Sequence, residues 1–256
     1  MTELILLKYF IITGTSRGLG EAMALQLISP EHRLICISRK KNDALMAKSS
    51  HLHYIEYDLN NIDGIETLME QICRQIDMAN AEGIYLINNA AVLAPFSRIE
   101  QASSQALMTS LHVNLLAPIV LTSCFIRSTD HLQIEKRILN ISSASAKHLL
   151  PGMSVYSASK AGLDIFSRSV GLEQGNEPTS VKIVSVWPGM IDTSLQEEAR
   201  NASQDTAASA DIFRMVKDRG MLASPAAAAK QLIKLLLGHS FHQGSVVEEL
   251  RAEPGT

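Results

Sequence analysis

The chain has 256 residues, 46% apolar and 19% charged, with a formal net charge of −3 at pH 7. A chain of this size can bury a full core without metal or disulfide staples, and its slightly acidic balance argues against general binding to nucleic acid or anionic membranes. Cys36, Cys73 and Cys124 are odd in number, widely spaced and free of any CxxC pair, which fits a reducing cytoplasm better than a disulfide framework.

The apolar N-terminal stretch LILLKYFII contains Lys8, lacks a small-residue cleavage site and is too short to cross a bilayer. Its end, Lys8 to Thr13, reads as a first buried strand behind a short extension, residues 1–7. Further apolar runs follow at 33–38, 53–57, 84–88, 137–142, 181–187 and 244–249, with candidate helices near 18–29, 61–78, 102–127, 154–175 and 224–237. Most runs are continuously apolar and rich in Ile and Val, as parallel strands covered on both faces require. Strands alternating with helices of this length predict right-handed βαβ units and a single-domain, Rossmann-type doubly wound α/β sheet of about seven strands. Residues 189–223, rich in Ala, Ser, Asp and Glu, break the rhythm and sit where a substrate lid would. Residues 250–256 read as a frayed tail.

The first strand runs into TGTSRGLG, which contains Gly14, Thr15, Ser16, Arg17, Gly18, Leu19 and Gly20 and leads into a helix. Glycines permit the tight turn and let the backbone approach a pyrophosphate at the helix N-terminus. The G-x3-G-x-G spacing is not the commoner dinucleotide fingerprint, but strand before and helix after supply the context such a loop needs. A site for the unphosphorylated cofactor usually has an acid at the end of the second strand, to hold the ribose 2′-hydroxyl. Ser38, Arg39, Lys40 and Lys41 stand there instead, with Arg17 in the loop, a set suited to a 2′-phosphate and hence to NADP(H).

Tyr156 and Lys160 lie four residues apart at the start of a predicted helix, on one face. A free tyrosine is a poor acid–base group at neutral pH, and a nearby ammonium is expected to lower its pKa. Ser143, at the end of the strand RILNISS, could donate to the same substrate oxygen.

TGTSRGLG, Asp58, NNAA at 88–91, Asn114, Ser143, Tyr156-x3-Lys160 and PGMIDT at 188–193 occur in order. Across residues 8–249 this set resembles the short-chain dehydrogenase/reductase family. The resemblance implies an oxidoreductase in which Tyr156 is the general acid, Lys160 holds the nicotinamide ribose and tunes Tyr156, Ser143 polarises the carbonyl and Asn114 holds a water in the proton path. It further implies that Asp58 and Leu59 meet the adenine, that Asn88 and Ala90 line the adenosine side, and that Pro188, Gly189, Ile191 and Thr193 surround the carboxamide. Ala91 replaces the glycine of the family's NNAG, which a negative φ at that position would tolerate. LINNAAVLAPFSRIE, HVNLLAPIVLTS, SKAGLDIFSRS and PGMIDTSLQEEAR carry a narrower resemblance, to the bacterial (S)-benzoin-forming benzil reductases related to sepiapterin reductase. That group reduces one carbonyl of a vicinal diketone with NADPH. Its pocket would draw on Leu93, Pro95, residues 144–153 and the lid.

Two alternatives share the cofactor loop: a 3-oxoacyl-thioester reductase, which must also dock a large acidic carrier, and a non-catalytic NADPH sensor, which could lose Ser143, Tyr156 or Lys160. His51 with His53, and His239 with His242, form near pairs lacking a third converging ligand, so no metal is expected. LIKLLL (232–237) reads as core. The expected partner is a small carbonyl compound, with no nucleic acid and no membrane. The helices near 102–127 and 154–175, which often form the dimer face in this family, make a homodimer or homotetramer plausible.

Overall fold

A computed structural model describes residues 6–201 and 207–250 of the chain. Seven strands, β1 (Leu7–Thr13), β2 (His32–Ser38), β3 (Leu52–Glu56), β4 (Ala81–Asn88), β5 (Glu135–Ile141), β6 (Lys182–Val186) and β7 (Val246–Val247), form one sheet in the order β3-β2-β1-β4-β5-β6-β7. Every pairing is parallel.

The continuous apolar runs are explained by which face each side chain meets. Alternate residues of a strand point to opposite faces, so a strand covered on both sides must be apolar at every position. Phe10, Ile12, Cys36, Ile87, Leu139 and Val184 pack on one face with α1 (Gly18–Gln26) and α9 (Pro225–Leu237). Tyr9, Ile11, Ile35, Leu86, Ile138 and Ile183 pack on the other with α3 (Ile65–Cys73) and α5 (Ala117–Thr129). Leu232 and Leu236 of the LIKLLL stretch lie in the first of these cores.

Several expected boundaries move. The helix expected over 102–127 divides into α4 (Ser104–Leu111), a π-helical turn (His112–Leu116) and α5. By length and composition Ser104–Thr129 could cross a membrane. Ala117, Leu121, Cys124 and Phe125 are instead buried against the sheet and α3, so core packing accounts for its apolarity. The helix expected over 61–78 shortens to a 3-10 turn and α3, and the last strand to two residues. A four-residue helix, α2 (Asp43–Met46), was not anticipated. Leu7, assigned to the extension, pairs with Ala81 as part of β1; residues 1–5 of the extension and 251–256 of the tail lie outside the described residues.

The lid carries structure of its own. α7 (Ser194–Arg200) and α8 (Ala207–Asp218) occupy it, and residues 202–206 lie outside the described residues. Its two ends meet in a parallel bridge between Ile191 and Ala223. Asp192 N–H donates to the Ala223 carbonyl at 3.0 Å, and Ala223 N–H to that of Met190 at 2.9 Å. α6 (Ser154–Gln174) completes the helical layer and bears the Tyr156 and Lys160 face.

Candidate active site

The strand order reverses direction between β1 and β4, and in such a sheet the crevice beyond the strand C-termini is the natural ligand site. Four of the expected segments leave the sheet at that edge: the glycine loop from β1, the basic turn from β2, Asn88 from β4 and Ser143 after β5. A cavity of about 400 Å3 lined in part by Leu6, Glu82, Glu135 and Lys182 lies at the opposite edge, where strands begin. It contains none of the residues singled out by the sequence.

The glycine loop is held tightly. Gly14 has φ +73°, and a Cβ there would lie 2.8 Å from the Ala90 Cα. A Cβ on Gly20 would lie 2.3 Å from the Gly14 carbonyl oxygen. Either substitution forces the loop away from β4. Thr13 and Asn89 fasten the loop from below: the Thr13 hydroxyl accepts from Asn89 N–H at 2.9 Å and Ala90 N–H at 3.0 Å, while Asn89 Nδ2 donates to the Thr13 carbonyl at 2.9 Å. Arg17 caps α1 through its backbone alone, with no side-chain cap bond. The first N–H groups of α1 therefore face the crevice unclaimed by a cap, which is where an anion binds.

Ser16 and Arg17 lie at the outer side of the loop, with Arg17 exposed and 3.9 Å from Glu198 of α7. Arg39 and Lys40 are exposed at the end of β2, while Lys41 pairs with Glu56 at 3.6 Å. Thr15 turns inward, its hydroxyl donating to Tyr54 Oη at 3.1 Å. Ser38 bonds the same phenol and also donates to the Lys40 carbonyl at 2.9 Å. Tyr54 itself donates to the Lys40 carbonyl at 3.3 Å, so one β3 phenol ties the glycine loop to the basic turn. Asn42 adds a second tie, Nδ2 donating to the Ser16 carbonyl at 3.1 Å.

Other expected ligands are placed differently. Asn88 is buried and donates to Asn140 Oδ1 at 2.8 Å, bridging β4 and β5. Leu59 is buried in the core and Asp58 is exposed, accepting from Asn60 N–H at 3.0 Å. Leu19 is likewise a core residue. Among the described residues no non-glycine has positive φ, so the Ala91 methyl is accommodated. Pro188 leads to Gly189, at φ +82°, and then to buried Ile191 and half-buried Thr193. Thr193 lies against the glycine loop: a Cβ on Gly18 would be 3.3 Å from its Cγ2.

Tyr156 (6% exposed) and Lys160 (2%) are both buried on α6. Lys160 Nζ donates to the Ile141 carbonyl of β5 at 2.8 Å and lies 5.7 Å from the Tyr156 ring centroid. The expectation that Lys160 lowers the Tyr156 pKa is corrected. Burial pushes that phenol up to about 12, against a hydrogen bond with Ser143 that pulls it down. Loss of hydration disfavours phenolate more than the serine favours it. Burial also drives Lys160 down to about 8, opposed by Asp164 one turn further on. Ser143 accepts from Ser145 N–H at 3.2 Å, capping a 3-10 turn over Ala144–Ala146. The Asn114 amide is committed elsewhere, accepting from Val92 N–H and donating to the Val92 carbonyl, each at 2.8 Å. The water-holding role expected of Asn114 therefore does not fall to its side chain.

Around Tyr156 the walls are apolar. Leu93, Met153 and Ala199 are buried with it, and Phe96, Leu150, Leu195 and Phe213 pack against them. Pro95 follows Ala94 through a cis peptide bond beside this wall. Phe213 of α8 meets Phe96 edge-on at 6.2 Å between ring centroids. Ser209 Oγ donates to the Pro151 carbonyl at 2.8 Å, fastening the lid over residues 144–153, and Gln196 Nε2 donates to that of Phe213 at 3.1 Å, tying α7 to α8. Asp192 accepts from Lys217 of α8 at 2.5 Å and faces Arg200 of α7 at 3.7 Å. Tyr54, Asn42, Asn89, Phe96 and Phe213 had not been singled out. Asn89 stood inside the NNAA signature, whereas nothing local marks Tyr54 as a partner of Thr15, 39 residues upstream of it. No group of three potential metal ligands occurs among the described residues.

Residues 8–204 match the short chain dehydrogenase family model. The chain is 38% identical over 245 residues to a benzil reductase ((S)-benzoin forming) of Bacillus cereus, covering 94% of this chain and 98% of that one. It is 37% identical to the enzyme of the same name from Bacillus subtilis, covering 90% and 93%. Bovine sepiapterin reductase is 27% identical over 93% of this chain and 92% of its own. Among solved structures, the KRED1-Pglu enzyme shares the fold with a TM-score of 0.79 at 24% identity, covering 94% of this chain and all of that one. A short-chain dehydrogenase of Streptomyces avermitilis does so with 0.78 at 21%, covering 97% and 89%.

Proposed function

The chain belongs to the short chain dehydrogenase family, oxidoreductases acting on carbonyl and alcohol groups, and from that premise we propose that it is an NADPH-dependent reductase of one carbonyl of an apolar vicinal diketone. The observation that carries the substrate class is the apolar wall of Leu93, Phe96, Leu150, Met153 and Phe213 around a buried phenol, which suits an aromatic or extended apolar ketone. The names of the relatives that share most identity with this chain point the same way. Among the described lid residues, Arg200 and Lys217 pair with Asp192 and Arg214 with Asp211, which leaves little free basic surface for an acidic carrier.

The residues present fit a dinucleotide. The tight loop of Gly14, Gly18 and Gly20 and the uncapped start of α1 suit the pyrophosphate. Arg17, Arg39 and Lys40 suit a 2′-phosphate, with Lys160 and Thr193 at the nicotinamide end. The cofactor, when bound, supplies the hydride. On the protein side, Tyr156 stays protonated through the neutral range and delivers its proton to the carbonyl oxygen as negative charge develops there. Ser143 donates to the same oxygen and orients it. Lys160, charged and fixed on the Ile141 carbonyl, stabilises the phenolate left behind. The apolar walls and the lid exclude water from this step. The same reading makes the enzyme a cytoplasmic homodimer or homotetramer, with exposed Met108, Leu111, Ile165 and Leu172 of α4 and α6 as the contact face.

The direct test is NADPH oxidation with benzil, sepiapterin and an acetoacetyl thioester, each repeated with NADH. Turnover of benzil with NADPH supports the reading, and exclusive thioester turnover refutes the substrate class. Arg39→Asp is expected to weaken NADPH relative to NADH; an unchanged ratio makes Arg39 a surface charge only.

A further inference from the structure

One turn beyond Lys160 on the same face of α6 stands Asp164, so that Tyr156, Lys160 and Asp164 follow one another at i, i+4 and i+8. Among the described residues Asp164 is the only buried carboxylate. No signature that pointed to the site includes it. A buried carboxylate persists only if it is well bonded, and this one is held from the sheet. Oδ1 accepts from Ser185 Oγ of β6 at 2.5 Å and Oδ2 from the indole Nε1 of Trp187 at 3.0 Å. Both donors are neutral, so they satisfy the two carboxylate oxygens without bringing a compensating positive charge.

We propose that Asp164 is a positioning residue that keeps Lys160 protonated at working pH, by placing the one buried negative charge a helical turn from the ammonium and anchoring it on β6. Burial pulls Lys160 down to about 8 even with Asp164 opposing it, and Asp164 is the group that keeps it from falling further. Among the described residues no other buried carboxylate can take that part. Tyr156 and Ser143 are neutral in the working range, and β5 offers the uncharged Ile141 carbonyl. Beyond the Trp187 ring lie Lys147, at 6.0 Å, and His148, at 6.1 Å, and Lys147 is paired with Glu248 at 2.9 Å. α4 and the π-turn bring only His112 toward α6, and its ring bonds Asn60 at 3.1 Å. The inference rests on Lys160 acting in the proposed reduction.

The test is Asp164→Asn, which keeps an acceptor for Trp187 and removes the charge. Trp187 is the only tryptophan, so its emission reports the local packing directly, and energy transfer from it to bound NADPH gives a binding titration without turnover. The alkaline limb of kcat for carbonyl reduction, and of NADPH affinity, is expected to move down by about one pH unit, the low end for a nearby opposite charge. Unchanged limbs with unchanged Trp187 emission overturn the proposal. If Asp164→Asn does not fold, Asp164→Glu disturbs the Ser185 and Trp187 contacts while keeping the charge. Limbs at the wild-type pH despite altered emission then support the charge role, and limbs that fall with the packing overturn it. A wild-type protein that reduces no carbonyl refutes the functional reading and leaves the binding titration to decide this one.

Discussion

Tyr54→Phe removes one oxygen from a residue outside every expected motif, yet it should change cofactor selectivity. The phenol joins Thr15 Oγ1 (3.1 Å), Ser38 Oγ and the Lys40 carbonyl (3.3 Å). Without it the Thr15 hydroxyl, fully buried, loses that acceptor and keeps only the weakly accepting Cys36 thiol, and a buried donor robbed of its good partner costs about 1–3 kcal/mol. The basic turn also loses its tie to the loop, while Asn42 still holds Ser16. Part of the loss appears as lower stability, and part as the cost of ordering the turn when a 2′-phosphate binds. If about 1.4 kcal/mol falls on binding, the NADPH dissociation constant rises roughly tenfold. NADH, which has no phosphate for Arg39 and Lys40, should change by much less. Fluorescence titrations with both cofactors, alongside thermal melts, measure the two effects separately. A lowered melting temperature with an unchanged NADPH-to-NADH ratio would show that the Tyr54 network supports the fold without shaping the phosphate site.

Tyr156→Phe should abolish carbonyl reduction while preserving NADPH binding, and appreciable turnover in that variant would remove Tyr156 from the mechanism. Thr13→Val is nearly isosteric but leaves the Asn89 and Ala90 N–H groups without their acceptor; urea unfolding should show a loss of about 2–4 kcal/mol, and a loss below about 1 kcal/mol would mean the loop relaxes to find other partners. Phe213→Ala opens the wall facing Phe96 and should raise KM for an aromatic diketone several-fold with a smaller change for a compact aliphatic one. Equal effects on both would exclude a specific aromatic contact. Lys160, lowered to about 8 from 10.5, binds fewer protons folded than unfolded between those values. Its ionisation therefore makes stability rise with pH across that window, by up to about 3 kcal/mol. Lys160→Met should flatten that rise in denaturation curves measured at several pH values. Tyr156, raised to about 12 from 10, acts in the opposite sense above pH 10, where stability falls with pH because the unfolded phenol ionises while the folded one stays protonated.

The local sequence determined the doubly wound sheet, its seven strands and the positions of the glycine loop, Ser143, Tyr156 and Lys160, because each depends on short-range rules. A strand covered on both faces must be apolar throughout, a loop at a helix N-terminus needs glycines, and residues four apart share a helix face. Ala91 could be judged from its expected φ alone. Tertiary structure decided what burial and distant contacts control. Tyr156 ionises late because α6 presses it into an apolar pocket, an effect of desolvation that the Tyr-x3-Lys spacing does not encode. Asn114 and Asn88 proved to be clamps because their amides meet Val92 and Asn140, 22 and 52 residues away. Tyr54 and Phe213 likewise entered the site through partners remote in sequence. Helices α7 and α8 escaped detection because their apolar faces are short and pack on the pocket wall instead of the sheet. Hydrogen bonding and desolvation depend on which groups the fold brings together, and only the folded chain specifies those neighbours.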